Sequence, residues 1–256
     1  VARTGSVGRS VLLKNGVSHF IIRCFMDTQL CLSTSQILDL VWELLDGSSN
    51  ELNPLLSFVN MLFELPEIPI RAFDLADKCL SNDQLSDPLL KMGFHENVAL
   101  AFWQKSKEAF PRLCKLAVGC CKNGYRRIFV RADLLSLLYT LMSSTITTEL
   151  GSTCELLTIL STDFCDCILR LDFIKALVNV FKNGSFRGRI SAVFALASLI
   201  NHAEFKDIQF SALRTLLDSL ELINDADLNP QPILIAILKF VRYDPDSCYD
   251  VIIDYN

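Results

Sequence analysis

The sequence predicts an all-α protein built from stacked helical repeats, the architecture of an α-solenoid. Apolar residues recur at spacings of three and four, and no alternating run is bounded by hairpin turns. Three kinds of helical segment return in the same order at intervals near forty residues. In addition, 51% of the 256 residues are hydrophobic. Helices this apolar bury their hydrophobic faces by packing against neighbouring repeats.

The most conspicuous repeated segment is a helix of small and apolar residues. Its four copies are CKLAVGCCKN from Cys114, CELLTILSTD from Cys154, VFALASLINH from Val193 and IAILKFVRYD from Ile235. Successive copies begin 40, 39 and 42 positions apart. An interval of this length is typical of repeats made of two or three helices.

Two further segments recur with these helices. An amphipathic helix is predicted in HENVALAFWQKS, ADLLSLLYTLMSS, DFIKALVNVFKNG and DIQFSALRTLLDSL, where Val98, Leu134, Ile174 and Phe210 hold comparable places. A short helix ending in a turn is predicted in SDPLLKMGF, YRRIFVRADL, FCDCILRLDF and CYDVIIDYN. Each repeat therefore has one short and two longer helices.

This pattern resembles the armadillo repeat of the armadillo/HEAT superfamily. SDPLLKMGFHENVALAFW is similar to that family's first and second helices with a corner glycine at Gly93, and AVFALASLINHA is similar to its third helix. Asp133 and Asp172 take the place of the corner glycine in other repeats. The resemblance implies a right-handed superhelix whose third helices line a groove that binds other proteins.

The resemblance is clearest over residues 85–256 and predicts one continuous solenoid. Its repeats are 85–123, 124–163, 164–203, 204–244 and a partial 245–256. Residues 1–84 predict irregular N-terminal helical repeats, in which 35–47 suits a second helix and 52–65 a third. The segment 66–84 fits no register, so it is interpreted as a degenerate repeat or an insertion.

Composition argues against two classes of partner. The run Ile190 to Ala203 has fourteen residues without Asp, Glu, Lys or Arg, whereas a membrane span needs roughly 20. The N-terminal VARTGSVGRS is not followed by the apolar region of a secretory signal. A net charge of −5 is unlike the basic excess of nucleic-acid binders. No membrane span and no nucleic acid are therefore expected.

Catalytic and metal signals are absent from the sequence. His19, His95 and His202 fall in different repeats, and Cys165 and Cys167 lack the further ligands of a zinc set. NGSFRGR is predicted to form the turn from a second to a third helix, with Gly184 and Gly188 easing the corner. Its GSFRG stretch lacks the lysine and hydroxyl residue of a phosphate-binding P-loop. The ten cysteines sit mostly at apolar helical positions, which is typical of a reducing compartment. The sequence predicts a cytoplasmic protein with no catalytic residue, cofactor or metal.

Candidate partner-binding residues come from two patterns. One is a mixed polar lining on the predicted third helices, and the other is a set of basic clusters at helix junctions. Nuclear import adaptors of the resembled family use a Trp and an Asn four residues apart on the third helix. Phe194 and Ser198 stand at those positions, so import-signal binding is not expected. The candidates are Asn60, Glu64, Lys115, Lys122, Arg126, Arg127, Glu155, Arg187, Arg189, Ser198, Asn201, Lys239 and Arg242.

The predicted function is that of a non-catalytic scaffold or adaptor that binds partner proteins along a solenoid groove. The basic clusters favour acidic partners, such as those of a cytoskeletal or other large assembly. One alternative is a regulatory or substrate-recruiting segment of a larger multidomain enzyme, since the chain begins with Val1 and ends at Asn256 in a helical pattern. Another is a purely structural place in a large assembly.

Overall fold

The protein is all-α, as the sequence predicts. The computed structural model describes residues 5–27, 33–46, 52–104, 109–143, 150–170, 173–183, 185–198, 209–221 and 230–255. Within these ranges there are fifteen α-helices and no strand. None of the described helices is long and apolar enough to cross a membrane. The chain divides into two compact units, Val1–Ile128 and Phe129–Asn256.

The described part of the first unit contains eight α-helices. They are α1 (Ser6–Lys14), α2 (Val17–Met26), α3 (Thr34–Leu44), α4 (Asn53–Leu62), α5 (Ile70–Leu80), α6 (Asp83–Lys91), α7 (Phe94–Gln104) and α8 (Phe110–Lys122). A 3-10 helix, Arg126–Phe129, follows α8.

Local sequence explains where several of these helices begin and turn. Ser33 and Gln36 form a capping box at the start of α3, because each side chain bonds the other residue's backbone N–H. Proline stands in the first turn of α4 and of α8, where its missing N–H costs nothing. Gly93 has φ 85° between α6 and α7, a left-handed conformation that glycine adopts readily. The glycine expected at this corner is therefore in place.

The helices of the first unit form two layers. In one layer α5 packs against both α3 and α8, and in the other α4 packs against both α2 and α6. The layers are joined through contacts of α2 with α3, α4 with α5 and α5 with α6. Helix α7 packs against both α6 and α8. The segment interpreted as a degenerate repeat or an insertion thus contributes α5, whose Leu75, Ala76 and Cys79 are fully buried.

Aromatic rings fill the space between the layers. Phe63 meets Phe73 edge to face at 5.5 Å and Phe94 at 4.9 Å between ring centroids. All three rings are buried. Edge-to-face pairs of this kind add to the free energy gained by burying apolar area.

Seven α-helices lie in the residues of the second unit that the structure describes. They are α9 (Ala132–Ser143), α10 (Gly151–Arg170), α11 (Phe173–Asn183), α12 (Phe186–Ser198), α13 (Gln209–Glu221), α14 (Pro230–Tyr243) and α15 (Pro245–Tyr255). The predicted third helices α10, α12 and α14 pack in succession, with α12 against both of the others. Alongside them α9 packs against α11, and α13 against α15.

Two boundaries in this unit differ from the prediction. The segment FCDCILR continues α10 to Arg170 and is not a separate short helix, because no proline or glycine interrupts it. The third helix α12 begins at Phe186, so Arg187, Gly188 and Arg189 belong to its first turn and not to a corner. Ser185 starts this helix, since its hydroxyl accepts a hydrogen bond from the Gly188 N–H at 3.3 Å.

A glycine permits the closest approach between α5 and α8. A Cβ at Gly119 would lie 2.9 Å from Leu80 Cδ1 and 3.2 Å from Leu80 Cβ. These distances are shorter than an ordinary carbon–carbon contact. The absence of a side chain at Gly119 therefore sets how near the two helices come.

We expect Gly119→Val to lower the free energy of unfolding by about 1–3 kcal/mol, because the added side chain overpacks the contact with Leu80. Valine has the higher helix propensity, so a loss must come from packing. Urea unfolding followed by tryptophan fluorescence reports this unit, since Trp42 and Trp103 both belong to it. In a Leu80→Ala background the same substitution should cost less. An equal cost in both backgrounds would contradict the packing explanation.

Candidate functional site

The most distinctive surface of the first unit crosses α3, α5 and α8. Residues spaced three and four apart on a helix share one face, and both α3 and α5 place charged or aromatic side chains at such spacings. We call this surface the α3–α5–α8 strip. Its residues are Asp39, Trp42, Asp46, Arg71, Asp74, Asp77, Lys78 and Lys115.

Trp42 is the aromatic centre of the strip. Its half-buried ring has two cations over it, with Arg71 Cζ at 4.7 Å and Lys78 Nζ at 4.2 Å from the ring centroid. The Lys78 ammonium also donates a hydrogen bond to the Trp42 carbonyl oxygen at 2.8 Å. Both cations come from α5, so α5 fixes the orientation of an α3 side chain.

Ion pairs join the three helices along the same line. Arg71 Nε lies 3.1 Å from Asp39 Oδ1, Lys78 Nζ lies 2.6 Å from Asp46 Oδ1, and Lys115 Nζ lies 2.7 Å from Asp77 Oδ2. Arg71 also reaches Asp74 on its own helix. Each link between helices joins residues about one repeat apart in sequence. The ion pairs therefore hold neighbouring helices in a fixed alignment.

Exposure separates the structural members of the strip from those that face solvent. The Lys78 side chain is 17% exposed, whereas those of Asp39 and Lys115 are 59% and 60% exposed. Charges at the exposed positions keep most of their hydration and are open to further hydrogen bonds. Lys78 thus supports the aromatic centre, and Asp39 and Lys115 present opposite charges to solvent.

The structure places the predicted candidate Lys115 in the strip. It brings two others together elsewhere, because Asn97 Nδ2 on α7 donates to Asn60 Oδ1 at 3.0 Å and to Glu64 Oε1 at 3.1 Å. Asn60 Nδ2 in turn donates to the Met92 carbonyl oxygen at 3.1 Å. This network joins the end of α4 to the start of α7.

The basic candidates of the first unit lie at the end of α8 and just after it. Lys122 and Arg127 are exposed, and Arg126 is half-buried in the 3-10 helix. The nearby Arg131 belongs to the second unit, where its Nη2 donates to Asp133 Oδ2 at 3.2 Å.

The remaining candidates are spread over three helices of the second unit. Glu155 is half-buried on α10, while Lys239 and Arg242 are exposed on α14. Ser198 links two helices, because its Oγ lies 2.8 Å from Ser161 Oγ of α10 and donates to the Ala195 carbonyl oxygen. Arg189 is exposed at the start of α12. Arg187 lies in the same helical turn, and for this residue the structure describes the backbone alone. Asn201 and the residues of the predicted corners at Asp172 and Gly184 lie outside the described residues.

The described histidine and cysteine side chains form no catalytic or metal-binding group. His19 is exposed on α2, and the His95 ring packs on Tyr125 with its Nδ1 3.2 Å from the Leu90 carbonyl oxygen. Seven of the ten cysteines have described side chains, and all seven are buried. The described residues contain no group of three potential metal ligands.

Burial controls the chemistry of the described thiols. It raises the pKa of Cys79 to about 12, against a smaller opposing effect of Lys78. It likewise raises the pKa of Cys121 to about 12, against the opposing charge of Arg126. The pKa of Cys120 is raised by burial and by the neighbouring Cys121. A thiol must ionise to act as a nucleophile, so these three are poor nucleophiles near neutral pH.

Sequence reasoning missed the central residues of the strip. Trp42, Arg71 and Lys78 were not among the candidates, and the segment carrying the two cations was set aside because it matched no repeat. A usable signal was present in α5, where Arg71, Asp74 and Lys78 recur at spacings of three and four.

Comparison with protein-family models gives no match, and no similar curated protein is found.

We expect Lys78→Met to lower the free energy of unfolding by about 2 kcal/mol, because it removes a charged hydrogen bond to the Trp42 carbonyl and leaves Asp46 with the longer 3.9 Å contact to Arg9 Nη1. Lys91→Met is the matched control. Lys91 and Asp87 are also 2.6 Å apart, but their side chains are 68% and 61% exposed. The control should leave the urea midpoint unchanged. Equal effects of the two substitutions would show that Lys78 is no more than a surface charge.

We also expect Cys79, Cys120 and Cys121 to resist N-ethylmaleimide at pH 7.5 in the folded chain, since their raised pKa values keep them protonated and burial blocks access. Digestion and mass spectrometry would locate the label. The urea-denatured chain, fully modified in the same time, is the control. Rapid native modification of any of the three would reveal an accessible, activated thiol.

Proposed function

We propose that the protein is a non-catalytic interaction scaffold, built as a right-handed armadillo-like α-solenoid, that binds partner proteins through extended polypeptide segments. The observation that carries the proposal is the α3–α5–α8 strip. It combines a positioned aromatic ring with exposed charges of both signs on helices that lie side by side. Aromatic anchors surrounded by charged and polar groups are typical of protein-binding surfaces.

The dimensions of packed helices suit an extended ligand. Neighbouring helices lie about 8–10 Å apart, and an extended chain advances about 3.3 Å per residue. A peptide crossing the strip would therefore place about three residues over each helix. Asp39 on α3 and Lys115 on α8 would then select opposite charges near the two ends of a segment of about nine residues.

The ligand side chain that lies over α3 would pack on Trp42. Arg71 and Lys78 already hold the ring in place, so little side-chain conformational entropy is lost there when a ligand binds. The ion pairs on either side of Trp42 remain largely hydrated, so they contribute more to the specificity of binding than to its affinity. Affinity from such a surface is the sum of many modest contacts, and single substitutions should weaken it without abolishing it.

The burial of the described cysteines supports placing this function in the cytoplasm or another reducing compartment. The same strip would serve equally if the chain were the regulatory or substrate-recruiting segment of a larger multidomain enzyme. In that case the bound segment would belong to a substrate or to another domain.

The test is selection of nine-residue peptides by phage display against the whole chain, followed by titration of each enriched peptide. Trp42 fluorescence in a Trp103→Phe background reports occupancy of the strip. We expect the enriched peptides to share opposite charges at their two ends. Asp39→Lys combined with Lys115→Glu should weaken them about tenfold or more, because each charge then faces a like charge.

The matched control is Asp87→Lys combined with Lys91→Glu, which reverses an equally exposed acid and base on α6. This control should bind the peptides as the unmodified chain does. The proposal fails if no peptide is enriched, or if the two pairs of charge reversals change binding equally.

A further inference from the structure

Helix α14 carries an exposed apolar face in the second unit. Leu234, Ile235 and Leu238 are 47%, 48% and 53% exposed. They stand at i, i+1 and i+4, on the side of the helix opposite the buried Ala236 and Phe240. Large apolar side chains grouped on one exposed face mark interaction surfaces more often than single exposed residues do.

The repeat alignment shows what covers this face in the other third helices. Aligning the four copies at their intervals of 40, 39 and 42 residues pairs each exposed residue of α14 with three others. Leu234 aligns with Leu113, Thr153 and Ala192, Ile235 with Cys114, Cys154 and Val193, and Leu238 with Ala117, Leu157 and Leu196. All nine equivalents are 0% exposed.

Neighbouring helices cover the equivalent positions. Within the second unit α12 packs between α10 and α14, so it has a third helix on each side. Among the described helices, α14 packs against only one third helix, α12. The face that α14 leaves open is therefore shaped to receive another α-helix, in the way that α10 and α12 receive each other.

Charge indicates what kind of helix fits. Lys239 and Arg242 are exposed and continue the same face toward the C-terminal end of α14. The helix, PQPILIAILKFVRY, contains no Asp or Glu. A ligand helix with acidic residues beside its apolar stripe would be attracted to this face, and a basic one would be repelled.

We propose that this face of α14, which we call the α14 face, docks an amphipathic α-helix of a partner protein that carries acidic residues along its apolar stripe. The proposal rests on the proposed scaffold function for one point, which is that the ligand is a protein. The location of the site does not depend on that function. The α14 face and the α3–α5–α8 strip share no residue. The ligand buries leucine-like side chains against Leu234, Ile235 and Leu238 and pairs its carboxylates with Lys239 and Arg242.

The probe is a fluorescein-labelled synthetic peptide of three heptads, with leucines at the a and d positions and glutamates beside them. Its counterpart has every glutamate replaced by lysine. Fluorescence anisotropy with the whole chain should show that the glutamate peptide binds at least about tenfold more tightly than the lysine peptide. Its affinity should fall as salt is raised, because exposed charge pairs are screened.

Two pairs of substitutions test the location. Leu234→Ser combined with Leu238→Ser should weaken the glutamate peptide about tenfold or more, because two half-exposed apolar contacts are lost. Lys239→Glu combined with Arg242→Glu should reverse the preference between the two peptides. Leu100→Ser on α7 removes a leucine of similar exposure in the first unit and should change nothing. If the serine variant fails to fold, the charge-reversal variant tests the location of the site by itself.

Three results would overturn the proposal. One is no binding of the glutamate peptide, and another is equal binding of the two peptides. The third is a dimer of the unmodified chain, seen by sedimentation, that the two serine substitutions abolish, because the occupant would then be a second copy of the chain. Peptides selected for the strip and read by Trp42 should bind the α14 variants normally, so failure of this proposal is distinguishable from failure of the scaffold function.

Discussion

Close packing between helices that lie side by side is the interaction on which both units depend. Its tightest example is Gly119 of α8, where Leu80 of α5 occupies the space that a side chain would take. In the second unit the same dependence is visible in α12, whose Ala192, Val193 and Leu196 are completely buried. A helix with apolar residues on more than one side gains stability only when neighbours cover each side. The high apolar content of the chain follows from this requirement.

Polar contacts at the surface align the helices that apolar packing brings together. Apolar contacts are weakly directional, so they tolerate sliding of one helix along another. The α3–α5–α8 strip removes that freedom, because Lys78 reaches both the Trp42 carbonyl and Asp46, and Arg71 reaches Asp39. Because Lys78 is partly buried, its contacts are costly to break. A group that loses its hydrogen bond to Lys78 is not fully rehydrated by water. The positioned Trp42 ring is a product of this alignment.

Much of the architecture could be predicted from the sequence because it depends on local spacing. Apolar periodicity identified the helices, the forty-residue interval identified the succession of α10, α12 and α14, and a glycine was expected at the Gly93 corner. The strip could not be found this way. Trp42 and Lys78 are 36 positions apart, and neither residue indicates the other until the helices are seen to pack. The start of α12 was misplaced because the glycines of NGSFRG suggested a turn, whereas the Ser185 hydroxyl caps a helix there.

The two candidate surfaces differ because they expose different sides of the same kind of helix. The strip runs across several helices whose apolar sides are buried against one another. The ligand proposed for it therefore contacts the charged side chains that stay at the surface. The α14 face is itself such an apolar row, at positions whose equivalents in α8, α10 and α12 are buried. The ligand proposed for the first surface matches a pattern of charge, whereas the ligand proposed for the second supplies an apolar helix. The two proposed ligands are therefore chemically distinct, although the packing rule that buries the equivalent positions of α8, α10 and α12 also accounts for the apolar character of the α14 face.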